Sequence, residues 1–167
     1  MEITVRPART SDVRAITRLV AGYADDRIVL GKETVTYYED LQEFRVAEDA
    51  DGTVVGCGAL HVMWEDLAEI RTLAVDKTRH GEGIGSRILE TLVVQARQLG
   101  VTKLFCLTFE VGFFARHGFH PIEGTPVDPE VYAELLRSAD EGVAEFLDLA
   151  RVKPNTLGNT RMLKELR

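Results

Sequence analysis

The spacing of apolar positions changes several times along the chain, and each change marks an element. Ile3-Thr4-Val5-Arg6 alternates and predicts a first strand, closed by Pro7. Thr10-Ser11-Asp12 offers helix N-cap chemistry, and Val13, Ile16, Leu19 and Val20 follow at helical spacing. A loop from Asp25 to Gly31 leads to a second helix over Thr34 to Leu41. Phe44-Arg45-Val46-Ala47 and Thr53 to Val62 predict two strands around Asp49-Ala50-Asp51-Gly52, where Asp-Gly is a strong hairpin signal. Glu65-Asp66 turns the chain into the strand that ends Ile70-Arg71-Thr72-Leu73-Ala74-Val75. A polar turn and the loop Gly81-Glu82-Gly83-Ile84-Gly85 come next. The helix from Ser86 to Leu99 then places Ile84, Ile88, Leu89, Leu92, Val93, Ala96 and Leu99 on one stripe.

Beyond it, Val101 to Phe109 predicts a strand, and Val111 to Arg116 a short helix ended by Gly118. Phe119-His120-Pro121-Ile122 begins another strand. Pro129 to Ser138 is expected to be helical, Phe146 to Val152 a strand, and Thr160 to Leu166 a last edge strand. A crossover helix between the fourth and fifth strands makes them parallel neighbours, while the three strands before are hairpin-linked. The expected class is α/β, with a mixed, mostly antiparallel sheet, a central parallel strand pair and flanking helices.

The length of 167 residues suits one domain over 1–167 with a real core, and 45% hydrophobic with 28% charged residues is ordinary for a globular protein. A net charge of −7 disfavours broad binding to nucleic acid or an anionic membrane. An anionic ligand must therefore be held by local geometry. Lys77, Arg79, His80 and Arg87 beside the glycine loop offer it; the same residues also suit a solvated helix-start face. Cys57 and Cys106 sit inside apolar strand patterns, form no C-x-x-C, and fit buried reduced thiols of a cytoplasmic protein. Glu2, Arg6 and Arg9 argue against a signal peptide, and no apolar run reaches membrane-spanning length.

Glycines at the mouth of a helix let backbone N–H groups converge where the helix dipole is positive, which favours a phosphate. A Walker A loop needs Lys-Ser/Thr after its last glycine, but Gly85 is followed by Ser86-Arg87. A dinucleotide fingerprint needs a third glycine where Ser86 stands, and a carboxylate that the strand Lys103 to Phe109 lacks in its body. The pyrophosphate of coenzyme A remains, beside the plain alternative that the loop is only a turn.

The strand–loop–helix unit resembles the acyl-CoA motif of the GNAT acetyltransferase superfamily, and the order of elements matches that fold along nearly the whole chain. Phe113-Phe114-Ala115-Arg116-His117-Gly118-Phe119 is similar to the superfamily's F-Y-x-x-x-G-F segment. Phe114 stands where a tyrosine often protonates the leaving thiolate, and His80 where an arginine or glutamine opens the loop. Three segments resemble, more narrowly, the short single-domain amino-acid N-acetyltransferases of arginine biosynthesis, the N-acetylglutamate synthase type. They are Cys57-Gly58-Ala59-Leu60-His61 with Trp64, the run Leu67 to Val75, and the run Lys153 to Leu163.

The resemblance implies acetyl-CoA as cosubstrate, no metal, and the α-amine of glutamate or glutamine as acceptor. It places cofactor contacts on Leu73, Ala74 and Val75, on His80, Gly81, Glu82, Gly83, Ile84, Gly85 and Ser86, and on Phe114 beside the pantetheine arm. It makes Glu69 the base that deprotonates the ammonium, and carboxylates do such work; a strand-end carboxylate paired with Arg71 is the plain alternative. Backbone N–H groups of Leu73 and Val75 are expected to hold the pantetheine and the thioester oxygen. Lys32, Arg71, Asn159, Thr160 and Arg161 are the expected acceptor contacts. Thr108 is the candidate proton donor to the leaving thiolate, although a thiol of pKa about 8.5 also leaves unaided. Other acceptors, among them another amine or a protein N-terminus, stay open, as do a non-catalytic acyl-CoA sensor and a homodimer.

Overall fold

The computed structural model describes residues 2–25, 34–156 and 158–167. Its strands, among the described residues, are β1 (Thr4–Pro7), β2 (Phe44–Glu48), β3 (Val54–Trp64), β4 (Leu67–Val75), β5 (Lys103–Thr108), β6 (His120–Pro121) and β7 (Thr160–Glu165). The helices are α1 (Val13–Asp25), α2 (Thr34–Glu39), α3 (Ile84–Leu99), α4 (Val111–Arg116), α5 (Pro129–Leu135), α6 (Glu141–Phe146) and α7 (Lys153–Thr156). The strand order is β1-β2-β3-β4-β5-β7-β6. The chain forms two compact units, Met1–His61 with Ile70–Gln98, and Val62–Glu69 with Leu99–Arg167.

In the first unit, β1 pairs antiparallel with β2 from Thr4↔Glu48 to Pro7↔Arg45, and β2 with β3 from Phe44↔Ala59 to Glu48↔Val54. The start of α1 is fixed by Asp12, a buried carboxylate. It accepts the Arg9 N–H at 2.7 Å and both ends of the Arg6 guanidinium at 2.8 and 3.0 Å. Arg6 holds the Asp12 carboxyl below the usual range, because its hydrogen bonds outweigh the effect of burial. The apolar face of α1 (Val13, Ile16, Leu19, Val20) packs with Tyr37, Phe44, Val46, Val54, Cys57, Ala59 and Ala74.

The stripe predicted for α3 is buried at Ile84, Ile88, Leu89, Leu92, Val93 and Ala96. It lies close on β3 because Gly56 and Gly58 carry no side chain. A Cβ on Gly58 would stand 2.9 Å from Ile88 Cγ2 and 3.1 Å from both Leu73 Cδ1 and Leu92 Cδ1. A branched side chain cannot yield there without moving the helix. Gly58→Ala is expected to destabilise the protein by about 1–3 kcal/mol, the usual range for overpacking. A lowered urea midpoint at constant m-value is the check.

In the second unit, β4 and β5 run parallel, Leu67 opposite Lys103, Ala68 opposite Leu104 and Glu69 opposite Phe105. The β5 strand pairs antiparallel with β7 from Lys103↔Glu165 to Thr108↔Thr160, and β7 pairs with the short β6. The expected parallel pair and flanking helices are therefore present, and two expectations are corrected. The segment Phe146 to Val152 is not a strand: α6 ends at Phe146 and a 3-10 turn spans Ala150–Val152. Asp140 starts α6 by accepting the Val143 N–H at 3.0 Å, and Phe146 and Leu147 turn into a core with Met63, Leu67, Phe105, Leu135, Val143 and Leu163. Nor is β7 an edge, since β6 lies on its far side. Among the described residues no helix is long and apolar enough to cross a membrane.

Candidate active site

The loop between β4 and α3 is built by local chemistry. Asp76 accepts from the Thr78 N–H at 2.9 Å and from its hydroxyl at 2.7 Å, which closes a 3-10 turn over Lys77–Arg79. Gly81 and Gly83 then take φ +87 and +77, values that side chains rarely tolerate. Both are exposed, and a Cβ at either would meet no heavy atom within 4 Å. The backbone is thus open to a ligand at the N-terminus of a 16-residue helix, whose first N–H groups have no intrahelical partner. Ile84 is buried in the first turn, while Gly85 and Ser86 are half-buried.

Three of the four cations expected near this loop donate to carboxylates or main-chain carbonyls. Arg79 donates to Glu82 at 2.8 and 3.0 Å and to Asp49 at 3.3 Å. Lys77 donates to the Gly22 carbonyl at 2.9 Å, and Arg87 to the Ile3 carbonyl at 2.5 Å. Lys77, Arg79 and Arg87 thus help to hold the loop in place. The exposed His80 is the exception. Its Nε2 lies 2.7 Å from the hydroxyl of Tyr23. That hydroxyl donates to the Val75 carbonyl at 2.6 Å and accepts the Val75 N–H at 3.4 Å. Tyr23 is a site residue missed in the sequence, where a tyrosine at the end of an amphipathic helix carries no distinguishing mark. Its hydroxyl engages the backbone of Val75, one of the two expected pantetheine anchors.

Glu69 is buried at 3% exposure and lies in the parallel ladder, opposite Phe105. Farther along the same strand Thr72 takes φ +58, a left-handed kink in a non-glycine residue, and its carbonyl accepts from the Cys57 thiol at 3.4 Å. Beside Glu69, Cys106 is a free, buried cysteine; burial and then the Glu69 charge push its thiol well above the ordinary range, so it is inert.

Thr108 is buried at the end of β5, opposite Thr160. Its Oγ1 accepts the Glu110 N–H at 2.8 Å, which leaves the hydroxyl proton to be donated elsewhere. Phe114 is buried, edge-on to Phe113 and Phe119 at centroid distances of 5.1 Å, so it holds α4 in place.

Arg161 uses Nε on the Glu145 carbonyl at 3.1 Å and Nη2 on the carbonyls of Gly124, at 2.8 Å, and Phe146. Its guanidinium also stands 5.8 Å over the Phe105 ring. Burial lowers its affinity for the proton. This side chain caps the end of α6, and Nη1 is the edge left over among the described residues. Asn159, Thr160 and Arg71 are half-buried, while Lys32 lies outside the described residues.

Residues 18–119, more than half of the chain, match the Acetyltransferase (GNAT) family, and the chain belongs to that family. It is 62% identical to an amino-acid acetyltransferase of Mycobacterium tuberculosis over 95% of this chain and 92% of the relative. A Mycobacterium tuberculosis protein solved in complex with CoA and NLQ superposes with a TM-score of 0.95 at 60% identity, covering 98% of this chain and 99% of that one. An N-acetylglutamate synthase of Neisseria gonorrhoeae, complexed with coenzyme A and N-acetyl-glutamate, shares the fold at a TM-score of 0.79 and 23% identity. There the match covers all of this chain (100%) but only 36% of the synthase.

Proposed function

We propose that this enzyme transfers the acetyl group of acetyl-CoA to the α-amine of an amino acid, with L-glutamate as the acceptor. The observation that carries the proposal is Glu69, a buried carboxylate on the strand that leads into the open glycine loop. Similarity over 95% of the chain, at 62% identity, to a relative named amino-acid acetyltransferase supports it.

The chain's residues fit the cosubstrate. The backbone at Gly81 and Gly83 borders open space where a diphosphate would fit, with Glu82 held aside by Arg79. The strand residues Leu73, Ala74 and Val75 would meet the pantetheine. Phe114 keeps α4 beside that arm.

The chemistry follows from the proton inventory. The acceptor arrives as an ammonium and cannot attack until one proton leaves, which Glu69 takes directly or through water. The amine nitrogen then bonds to the thioester carbon, and the backbone N–H of Leu73 steadies the oxygen that becomes negative. When the carbon–sulfur bond breaks, the sulfur keeps the electron pair and is protonated by Thr108 or by solvent. The acceptor's carboxylates fall to Arg71, Asn159, Thr160, Lys32 and the Nη1 edge of Arg161, since charge-assisted hydrogen bonds are the strong ones.

The test is kcat/KM with acetyl-CoA across the amino acids and one peptide N-terminus. Glutamate is expected to lead, and Arg71→Ala to raise KM for it at least tenfold with little change in KM for acetyl-CoA. Preference for glutamine would move the acceptor but keep the reaction, whereas preference for the peptide would overturn the amino-acid assignment.

A further inference from the structure

Tyr23 has a single hydroxyl proton, and its oxygen stands close to two partners. The Val75 carbonyl oxygen is at 2.6 Å and His80 Nε2 at 2.7 Å. A carbonyl cannot donate, and two oxygens at 2.6 Å need a proton between them, so the tyrosine proton lies on the Val75 side. The contact with His80 then needs its own proton, which can only come from the ring. His80 is therefore an Nε2–H donor to Tyr23, and a neutral His80 carries a bare lone pair at Nδ1.

His80 directly precedes Gly81 in the open loop and is exposed, and its Nδ1 has no partner among the described residues. A lone pair repels a phosphate oxygen, while an N–H attracts it. We propose that Tyr23 is a positioning residue for cofactor binding: by fixing His80 as the Nε2–H donor, it makes the ring take a second proton at Nδ1 when a phosphate settles on the loop. This rests on the loop being the coenzyme A site. The proton comes from solvent, and the imidazolium pairs with the anion. Acyl-CoA affinity then rises as pH falls.

The surrounding charges do not substitute for this proton. Lys77, over the Tyr23 ring at 5.4 Å, binds the Gly22 carbonyl, and Arg79 is neutralised by Glu82 and Asp49. Asp76 is occupied by Thr78 and feels Arg79 and Arg18. The groups within this set that carry fixed charge are closely balanced.

The experiment is calorimetric titration of dephospho-CoA between pH 8 and 5.5, with acetyl-CoA alongside. Dephospho-CoA lacks the terminal monoester, whose own titration near pH 6 would confuse the slope. The wild type is expected to bind several-fold more tightly at pH 5.5 than at pH 8. His80→Gln should bind with no such slope. Tyr23→Phe keeps the ring under Lys77 but frees the tautomer, so a neutral ring can turn its single proton to Nδ1, and the slope should shrink. Nitrogen-15 shifts of the His80 ring at pH 8 should give the Nε2–H form in wild type. A Nδ1–H form, a flat wild-type profile, or an equal slope in His80→Gln or Tyr23→Phe would overturn the proposal. Failure of both ligands to bind at any pH would instead overturn the cofactor site on which it rests.

Discussion

Replacing Glu69 by glutamine is expected to lower kcat by about a hundred- to ten-thousand-fold, the range for losing a positioned base. The amide keeps the volume and polarity of the side chain but cannot take a proton. The ammonium of the acceptor then has to lose its proton to bulk solvent before it binds, and only the small free-amine fraction at neutral pH reacts. Affinity for acetyl-CoA should change little, because the glutamate stands on β4 well before the loop that would bind the diphosphate. The activity that remains should climb with pH as more acceptor arrives as free amine. Steady-state rates from pH 6 to 9 check both points. Wild-type kcat at neutral pH in the variant would make Glu69 a structural carboxylate.

The second large effect is at the loop. Acetyl-CoA should raise the melting temperature, because a ligand at a hundred times its Kd stabilises by about 2.7 kcal/mol. Gly83→Val should abolish that shift. The substitution meets no protein atom, so the wild-type backbone is not crowded; what the branched side chain fills is the open space a diphosphate would take. It also forces a β-branched residue into φ +77, which lowers the stability of the free protein. The two effects separate on measurement, since strain moves the ligand-free melting temperature and obstruction removes the ligand-induced increment. An unchanged increment would take the loop out of the site.

Much of the fold was legible because its elements obey one period each. The α3 stripe from Ile84 to Ala96, the Asp-Gly hairpin and the helix ended by Gly118 are local signals, and local chemistry built them. The misread run at Phe146 to Val152 is short and apolar, and such a run suits a strand or a buried helix end equally well. What decides it is the Asp140 cap on Val143 together with the packing of Phe146 edge-on to Phe105 at 5.1 Å, the latter a contact between residues far apart in sequence. The site divides in the same way. Glycines and a strand carboxylate announce themselves in the sequence. The partnership of Tyr23 with Val75 and His80 joins residues 52 and 57 positions apart, so no spacing reveals it. Likewise, nothing in the run Asn159-Thr160-Arg161 tells that the guanidinium turns to main-chain carbonyls at the end of α6.

The central claim is the transfer itself, and one measurement addresses it most directly. The purified protein is incubated with acetyl-CoA and L-glutamate, free CoA thiol is followed with time, and the amino-acid product is identified by mass spectrometry. The account predicts that N-acetylglutamate appears mole for mole with CoA thiol, at a rate that saturates in both substrates and collapses in Glu69→Gln. Thiol release that ignores the acceptor, or no N-acetylated amino acid from any member of the panel, would contradict it.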